Sequence, residues 1–177
     1  VEILGKVNEA GVDILSIAKS YGLSMEFEKD TLNEAKKVSE QDISEEYKKR
    51  LDLREEVIVT IDSEDAKDLD DAVSLKHNGK NFELGVHIAD VSHYIKEKGL
   101  LDKEALKRGT SVYLVDRVIP MFPESISNGC CSLNALEDKL TLSCIMEIDD
   151  KGRVVSHKIV ESIINVNMRM AYSDVAK

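Results

Sequence analysis

Asp62, Asp68, Asp70 and Asp71 are the residues of this chain whose type and spacing best suit chemistry. They share the stretch from Thr60 to Ala72 with Glu64 and Asp65, six acids in all, directly after the strand-like run Val57-Ile58-Val59-Thr60-Ile61. Carboxylates held close together repel and raise one another's pKa. Such a cluster is therefore either a solvated loop or a site that a divalent cation neutralises. Carboxylate oxygens are hard donors suited to Mg²⁺ or Mn²⁺. Two such ions, roughly 3.5–4 Å apart, can activate a water and stabilise a leaving oxygen in phosphodiester cleavage.

Other acidic motifs fit less well. An EF-hand counted from Asp62 would need an oxygen ligand at Ala66 and a glycine at Lys67. A phosphatase-type Asp-x-Asp belongs at the strand end, whereas Asp68-Leu69-Asp70 lies six residues beyond it. Asp62-Ser63-Glu64 imitates the first motif of proofreading exonucleases, but Tyr172-Ser173-Asp174 has the wrong spacing for the last. In an extended strand Asp68 and Asp70 would share one face and Asp71 the other. For the four aspartates to converge, the chain must loop back after Asp62.

The elements that must position them have a mixed, α+β pattern. Ile14, Ile17, Ala18 and Tyr21 recur at helical spacing, with Gly22 as a natural stop. A second helix is expected to open at Thr31, with Thr31 and Glu34 as a capping box, and a third to span Ser44 to Leu53. From Val57 the period is two, predicting Ile58, Thr60 and Asp62 on one face. Ala72–Lys76 and Phe82–Ile88 read as strands around Asn78-Gly79, a strong hairpin signal. The run Leu84–Ala89 is almost continuously apolar, as in a strand buried on both faces. A helix from about Leu101 to Gly109 and a short strand Val112–Val115 follow. Pro120 and Pro123 exclude regular structure, and Asn128-Gly129 marks a turn. Alternation from Leu142 to Ile148, the turn Asp149–Gly152 and the run Arg153–Asn165 form a second hairpin. A last helix starts at Tyr172, with Ser173 as its cap.

The 177 residues suit one domain with an appendage, and 42% hydrophobic content allows a core. No apolar run reaches membrane-spanning length, and no signal peptide opens the chain. Cys130, Cys131 and Cys144 make a poor disulfide framework and match no zinc spacing, so reduced thiols in a cytoplasmic protein are expected. His87 and His93 read as packing or hydrogen-bonding residues. A net charge of −10 argues against a polyanion partner, except where metal ions mediate the contact.

The acidic stretch, Asp62 with Asp68-Leu69-Asp70-Asp71-Ala72, resembles the catalytic motif of the ribonuclease II/ribonuclease R family, whose central domain is called RNB. Three further stretches agree in order: Gly85–Tyr94, then Arg108–Tyr113 with Ile119–Pro123, then Ser127–Asn134. The lead-in Gly11–Ile17 is similar to the linker that follows the family's cold-shock domains, and the ribonuclease R branch matches best. The resemblance implies processive 3′-to-5′ hydrolysis of single-stranded RNA to nucleoside 5′-monophosphates with Mg²⁺, Mn²⁺ being an alternative ion. It makes Asp62 and Asp71 metal ligands, with Asp68 and Asp70 completing the metal site and serving catalysis. Asp70 is the residue expected to be indispensable for cleavage. Tyr113 would stack near the RNA 3′ end and Tyr172 would meet a ribose. Lys139 stands where the family pattern usually has arginine, giving a point charge instead of a planar fork.

The implied division is residues 1–56 as the end of a cold-shock domain plus helical linker, and 57–177 as the N-terminal part of the RNB domain. The cold-shock and S1-type domains and the C-terminal half of RNB, with further Arg and Glu residues and a second stacking aromatic, would lie outside this chain. Both ends read as cut, and the isolated piece is expected to be inactive alone. No membrane association and no obligate protein partner are expected. The alternative is an inactive RNB-like module that binds RNA or protein through its acidic loop.

Overall fold

The computed structural model describes residues 3–6 and 8–176. The lead-in holds α1 (Val12–Ser20), α2 (Lys29–Ser39) and a single 3-10 turn, Ser44–Lys48. Gly5 and Gly11 take positive φ, as a turn before α1 requires, but the reading of residues 1–11 falls partly on Val1, Glu2 and Val7, outside the described residues.

Seven strands form one sheet, in the order β1 (Leu51–Asp52), β8 (Val154–Asn165), β7 (Asp138–Ile148), β4 (Asn81–Ala89), β3 (Asp71–Asn78), β2 (Ile58–Asp62) and β9 (Met168–Ala171). The four central pairings are antiparallel, while β1 and β9 add to the edges in parallel. Between β4 and β7 the chain makes α3 (Val91–Tyr94), α4 (Leu100–Arg108), a small hairpin of β5 (Val112–Tyr113) and β6 (Val118–Ile119), and a π-type turn, Ser125–Cys130. The chain then passes through β9 into α5 (Tyr172–Val175). The mixed α+β class is thus the observed one.

The core joins Ala35 of α2, Tyr94 and Leu101 of the helices, and Ile126 and Leu133 of the long connection to Ile58, Ala72 and Ala89 of the sheet. One face of the sheet is buried and mostly polar. His87 sits between Ser74 Oγ (3.0 Å from Nε2) and Ser143 Oγ (2.6 Å from Nδ1), and Thr141, Ser143 and Ser162 continue the network. Gly85 is required there, because a Cβ would collide with the Ser74 hydroxyl and the His87 ring.

Several local expectations are corrected. α2 starts at Lys29 and carries no side-chain cap; Thr31 is buried inside it. The helix expected from Ser44 to Leu53 shrinks to one turn because Arg50 is drawn inward to pair with Asp90 at 2.8 Å, and Leu51 then joins the sheet beside Ser162. β4 is buried on one face only: Ile88, with Leu75, Leu142 and Ile159 on the same side of the sheet, is exposed. Gly79-Lys80 occupies the hairpin tip, since Asn78 still pairs with Asn81. Ile119 belongs to β6 despite the following proline, and Asn128-Gly129 lies inside the Ser125–Cys130 turn. At α5 the backbone N–H of Ala171 is met by Asp174 at 3.0 Å; Ser173 instead donates to Glu64 at 3.2 Å.

Candidate active site

β2 ends at Asp62 and β3 begins at Asp71, so residues 63–70 are the loop between two antiparallel neighbours. The antiparallel pairing of β2 with β3, at Ile58–Ser74 and Val59–Val73, turns the chain back on itself after Asp62. Fold-back thus brings together acids that sequence spacing alone keeps apart. All four aspartates line one cleft of about 770 Å³, with Tyr113 of β5, Lys67, Arg117 and Asn128 on its other walls.

Contacts from four residues, Leu133, Ser132, Arg169 and Ala89, hold the loop in shape. Leu69 is buried, and its carbonyl accepts from Leu133 N at 2.8 Å. The fully buried Ser132 donates to Lys67 O at 2.8 Å and accepts from Leu69 N at 3.1 Å. Arg169, beside Thr60 in the β2–β9 pairing, donates to the carbonyls of Glu64 (2.6 Å), Ala66 (2.7 Å) and Ser63 (3.3 Å). Ala89 N, at the end of β4, donates to Asp70 O at 3.0 Å. Sequence reasoning missed Arg169 entirely and quoted Ser132 only within a motif. Neither has a local signal, because each acts on a segment more than 60 residues away.

The electrostatics are those of crowded like charges. Burial pushes the Asp70 carboxyl above the ordinary range, and Asp68, Asp71 and Asp62 push it further. Asp62 is raised by burial and then by Asp71 and Asp68, with Arg169 opposing. The Tyr113 hydroxyl donates to Asp68 Oδ2 at 2.7 Å, which raises the tyrosine's own pKa. Among the described residues no three acids already form a compact metal cage. The donor set itself fits a hard divalent cation: the four aspartates share one cleft with Asp65 and Glu124, and the mutual repulsion of its carboxylates is what a cation would relieve. Tyr172 is exposed at the start of α5, next to Ala171, the partner of Asp62 in the β2–β9 register; it does not line the cleft. His87 and His93 lie away from the cleft lining, and Glu64 is occupied by Ser173.

This sheet, with a carboxylate loop between two adjacent strands, places the chain among the RNB domains: residues 50–177 match the RNB domain, and the chain belongs to that family. Ribonuclease R 1 of Lactococcus lactis is 52% identical over 98% of this chain, which spans 21% of that protein's length. The structure of Mycoplasma genitalium RNase R in complex with ribose methylated single-stranded RNA superimposes with a TM-score of 0.94 at 32% identity, covering 99% of this chain and 27% of that one. The same enzyme in complex with double-stranded RNA gives a TM-score of 0.95 at 32% identity, covering 100% of this chain and 32% of the other. Among the described residues no helix is long and apolar enough to cross a membrane.

Proposed function

We propose that this chain is the linker (residues 1–56) and the N-terminal part of the catalytic domain (residues 57–177) of a cytoplasmic 3′-to-5′ exoribonuclease. Its substrate is single-stranded RNA, hydrolysed processively from the 3′ end to nucleoside 5′-monophosphates. The observation that carries this reading is the convergence of Asp62, Asp68, Asp70 and Asp71 on one cleft beside an aromatic side chain. RNA-bound relatives of the same fold support it.

Asp62 and Asp71 would hold a divalent cation, Mg²⁺ or Mn²⁺, with Asp68 and Asp70 completing the site. A bound cation would supply charge neutralisation and Lewis acidity at the scissile phosphate. The chain's own residues do the rest. Tyr113 offers a ring for stacking on a terminal base and, through its hydroxyl, orients Asp68. Lys67 and Arg117 bring positive charge to the cleft wall for phosphate contact. Tyr172 would reach a ribose only once RNA occupies the surface beyond Ala171. The chain spans about a fifth of the Lactococcus lactis relative's length.

The test uses this chain alone. Mn²⁺ added to labelled protein should broaden the Asp62 and Asp71 resonances, and a 4-thiouridine at the 3′ end of an RNA oligonucleotide should crosslink to Tyr113. A crosslink that is equally strong from the 5′ end or from DNA would overturn the exoribonuclease reading. Resonances of Asp62 and Asp71 left unmoved would favour an inactive RNB-like module that uses the acidic loop for contact with a protein.

A further inference from the structure

We infer that Cys130 and Cys131 are a peroxide-responsive dithiol, and that closing it into a disulfide loosens the loop that carries Asp68 and Asp70. The two sulfurs are already in contact, 3.9 Å apart. Both thiols are free, so the pair is available for oxidation. Their surroundings are unequal. Cys130 is half-buried and lines an open cavity of about 360 Å³, which it shares with Tyr94, Glu137 and Lys139. Cys131 is buried.

Reactivity follows this asymmetry. A thiolate attacks and a thiol does not. The hydrogen bond from Cys131 holds Cys130 below the ordinary thiol range, and the Lys139 charge adds to this. Cys131 is pushed up by the same hydrogen bond and by burial. A small hydroperoxide entering the cavity would therefore meet Cys130 first. The Cys130 thiolate attacks the peroxide O–O bond; the sulfur becomes a sulfenic acid and the other oxygen leaves as water or alcohol. The sulfenic oxygen, now beside Cys131, takes the Cys131 proton as the Cys131 sulfur closes on the sulfenic sulfur; that oxygen leaves as water and the S–S bond forms. Two thiols are oxidised and one peroxide is reduced, so the step balances.

The disulfide must bring the sulfurs from 3.9 Å to about 2.05 Å between residues whose Cα atoms are only about 3.8 Å apart, closer than disulfides prefer. The backbone at Cys130 and Cys131 has to give way. The next two residues, Ser132 and Leu133, are the clips on Lys67 O, Leu69 N and Leu69 O. Movement at Cys131 is therefore passed to the aspartate loop, and reduction restores the clips. On the other side of the pair, Gly129 O accepts from Lys139 Nζ at 2.8 Å and from Ser132 N at 3.1 Å, so a shift at the pair is felt at Ser132.

The experiment treats the chain with hydrogen peroxide and reads intact mass and amide exchange. Loss of two hydrogens is expected in the wild type and in Cys144→Ser, and not in Cys130→Ser, which keeps the buried Cys131 and so should fold. Exchange at Leu69 and Leu133 should accelerate at least about tenfold on oxidation and return with dithiothreitol. Accumulation of sulfinic acid on Cys130 without disulfide would overturn the inference, as would a disulfide with Leu69 exchange unchanged. Neither readout depends on RNA cleavage, so these outcomes stand apart from the exoribonuclease reading.

Discussion

The hydroxyl of Tyr113 donates to Asp68 Oδ2 at 2.7 Å across 45 residues of sequence. The tyrosine is on a two-residue strand outside the main sheet, and its ring is largely exposed. A ring left open to solvent while its hydroxyl is fixed suits contact with a ligand and contributes little to packing. The two roles separate by substitution. Tyr113→Phe keeps the ring and loses the hydrogen bond, so RNA binding should stay within a few-fold of wild type. Tyr113→Ala loses the ring, and a stacked base is worth about 1–3 kcal/mol, or roughly 5–150-fold in affinity. Fluorescence anisotropy with a labelled single-stranded oligoribonucleotide decides this; equal loss in both variants would assign Tyr113 a purely structural role.

Asp70 gives a second prediction, about cations and pH. Its carboxyl and that of Asp62 are raised by burial and by the neighbouring aspartates. A folded-state pKa above the unfolded value means that the folded chain holds those protons more tightly. The stabilisation is present below the unfolded pKa and is lost as pH rises through the folded value. Without divalent ions, Asp70→Asn should therefore melt higher than wild type at pH 7, and Mn²⁺ should stabilise wild type more than the variant. In the full-length context the same change should lower cleavage by more than about 100-fold, since even residues that only support a metal site cost 10–100-fold. Thermal melts with and without Mn²⁺, together with single-turnover cleavage, test both halves.

Part of this was open to sequence reading. Period-two patterning made β2 and the two long hairpins visible, and the acids after β2 stood out because six of them crowd the ten residues from Asp62 to Asp71. Arg169 was not visible, because its value lies in the parallel pairing of β9 with β2, and that pairing depends on the whole sheet order. The helix expected through Arg50 failed for a similar reason: a charged residue that reads as solvent-facing is a buried partner of Asp90. Tyr172 was placed by resemblance alone, and the cleft lining does not include it.

The Arg50–Asp90 pair carries a third prediction. Both side chains are nearly buried, and Asp90 also accepts from Ser92 Oγ at 2.7 Å and from His93 N at 3.1 Å at the start of α3. A buried charge left without a partner costs about 3–5 kcal/mol, and removing Asp90 leaves Arg50 with Glu46 at 3.2 Å as its remaining acid, so the loss falls at or below the low end of that range. Asp90→Ala should show that loss in urea unfolding. Arg50→Met combined with Asp90→Leu should recover much of it. A loss below about 1 kcal/mol in the single variant would show that water reaches Arg50 and screens it.

His87 predicts the acid limb of stability. It is buried between Ser74 and Ser143, and burial lowers its pKa from 6.5 to about 4. Between these values the unfolded chain binds the proton and the folded chain does not. Stability from His87 is thus complete above pH 6.5 and is lost as pH falls towards 4, about 3 kcal/mol in all. Asp62 and Asp70 have the opposite sign, so the slope should be steeper when Mn²⁺ keeps them ionised. His87→Gln should flatten the curve between pH 6.5 and 4 while lowering stability at pH 7. Urea titrations at several pH values would show it, and an unchanged slope in the variant would exclude His87 as the source.

Thr60 carries the last prediction. It is fully buried at the centre of β2, and its Oγ1 has no hydrogen-bond partner among the described residues. A buried hydroxyl left unpaired costs about 1–3 kcal/mol. Valine has the same shape and favours strands as strongly. Thr60→Val should therefore raise the unfolding free energy by about 1 kcal/mol, read as a higher urea midpoint at an unchanged slope. Thr60 is two residues from Asp62 on the same face of β2, beside Arg169, so the variant also asks whether that hydroxyl serves the site. A variant that gains stability and keeps its Mn²⁺ affinity marks Thr60 as a packing residue. A gain in stability with weaker Mn²⁺ binding would give the unpaired hydroxyl a part in holding Asp62.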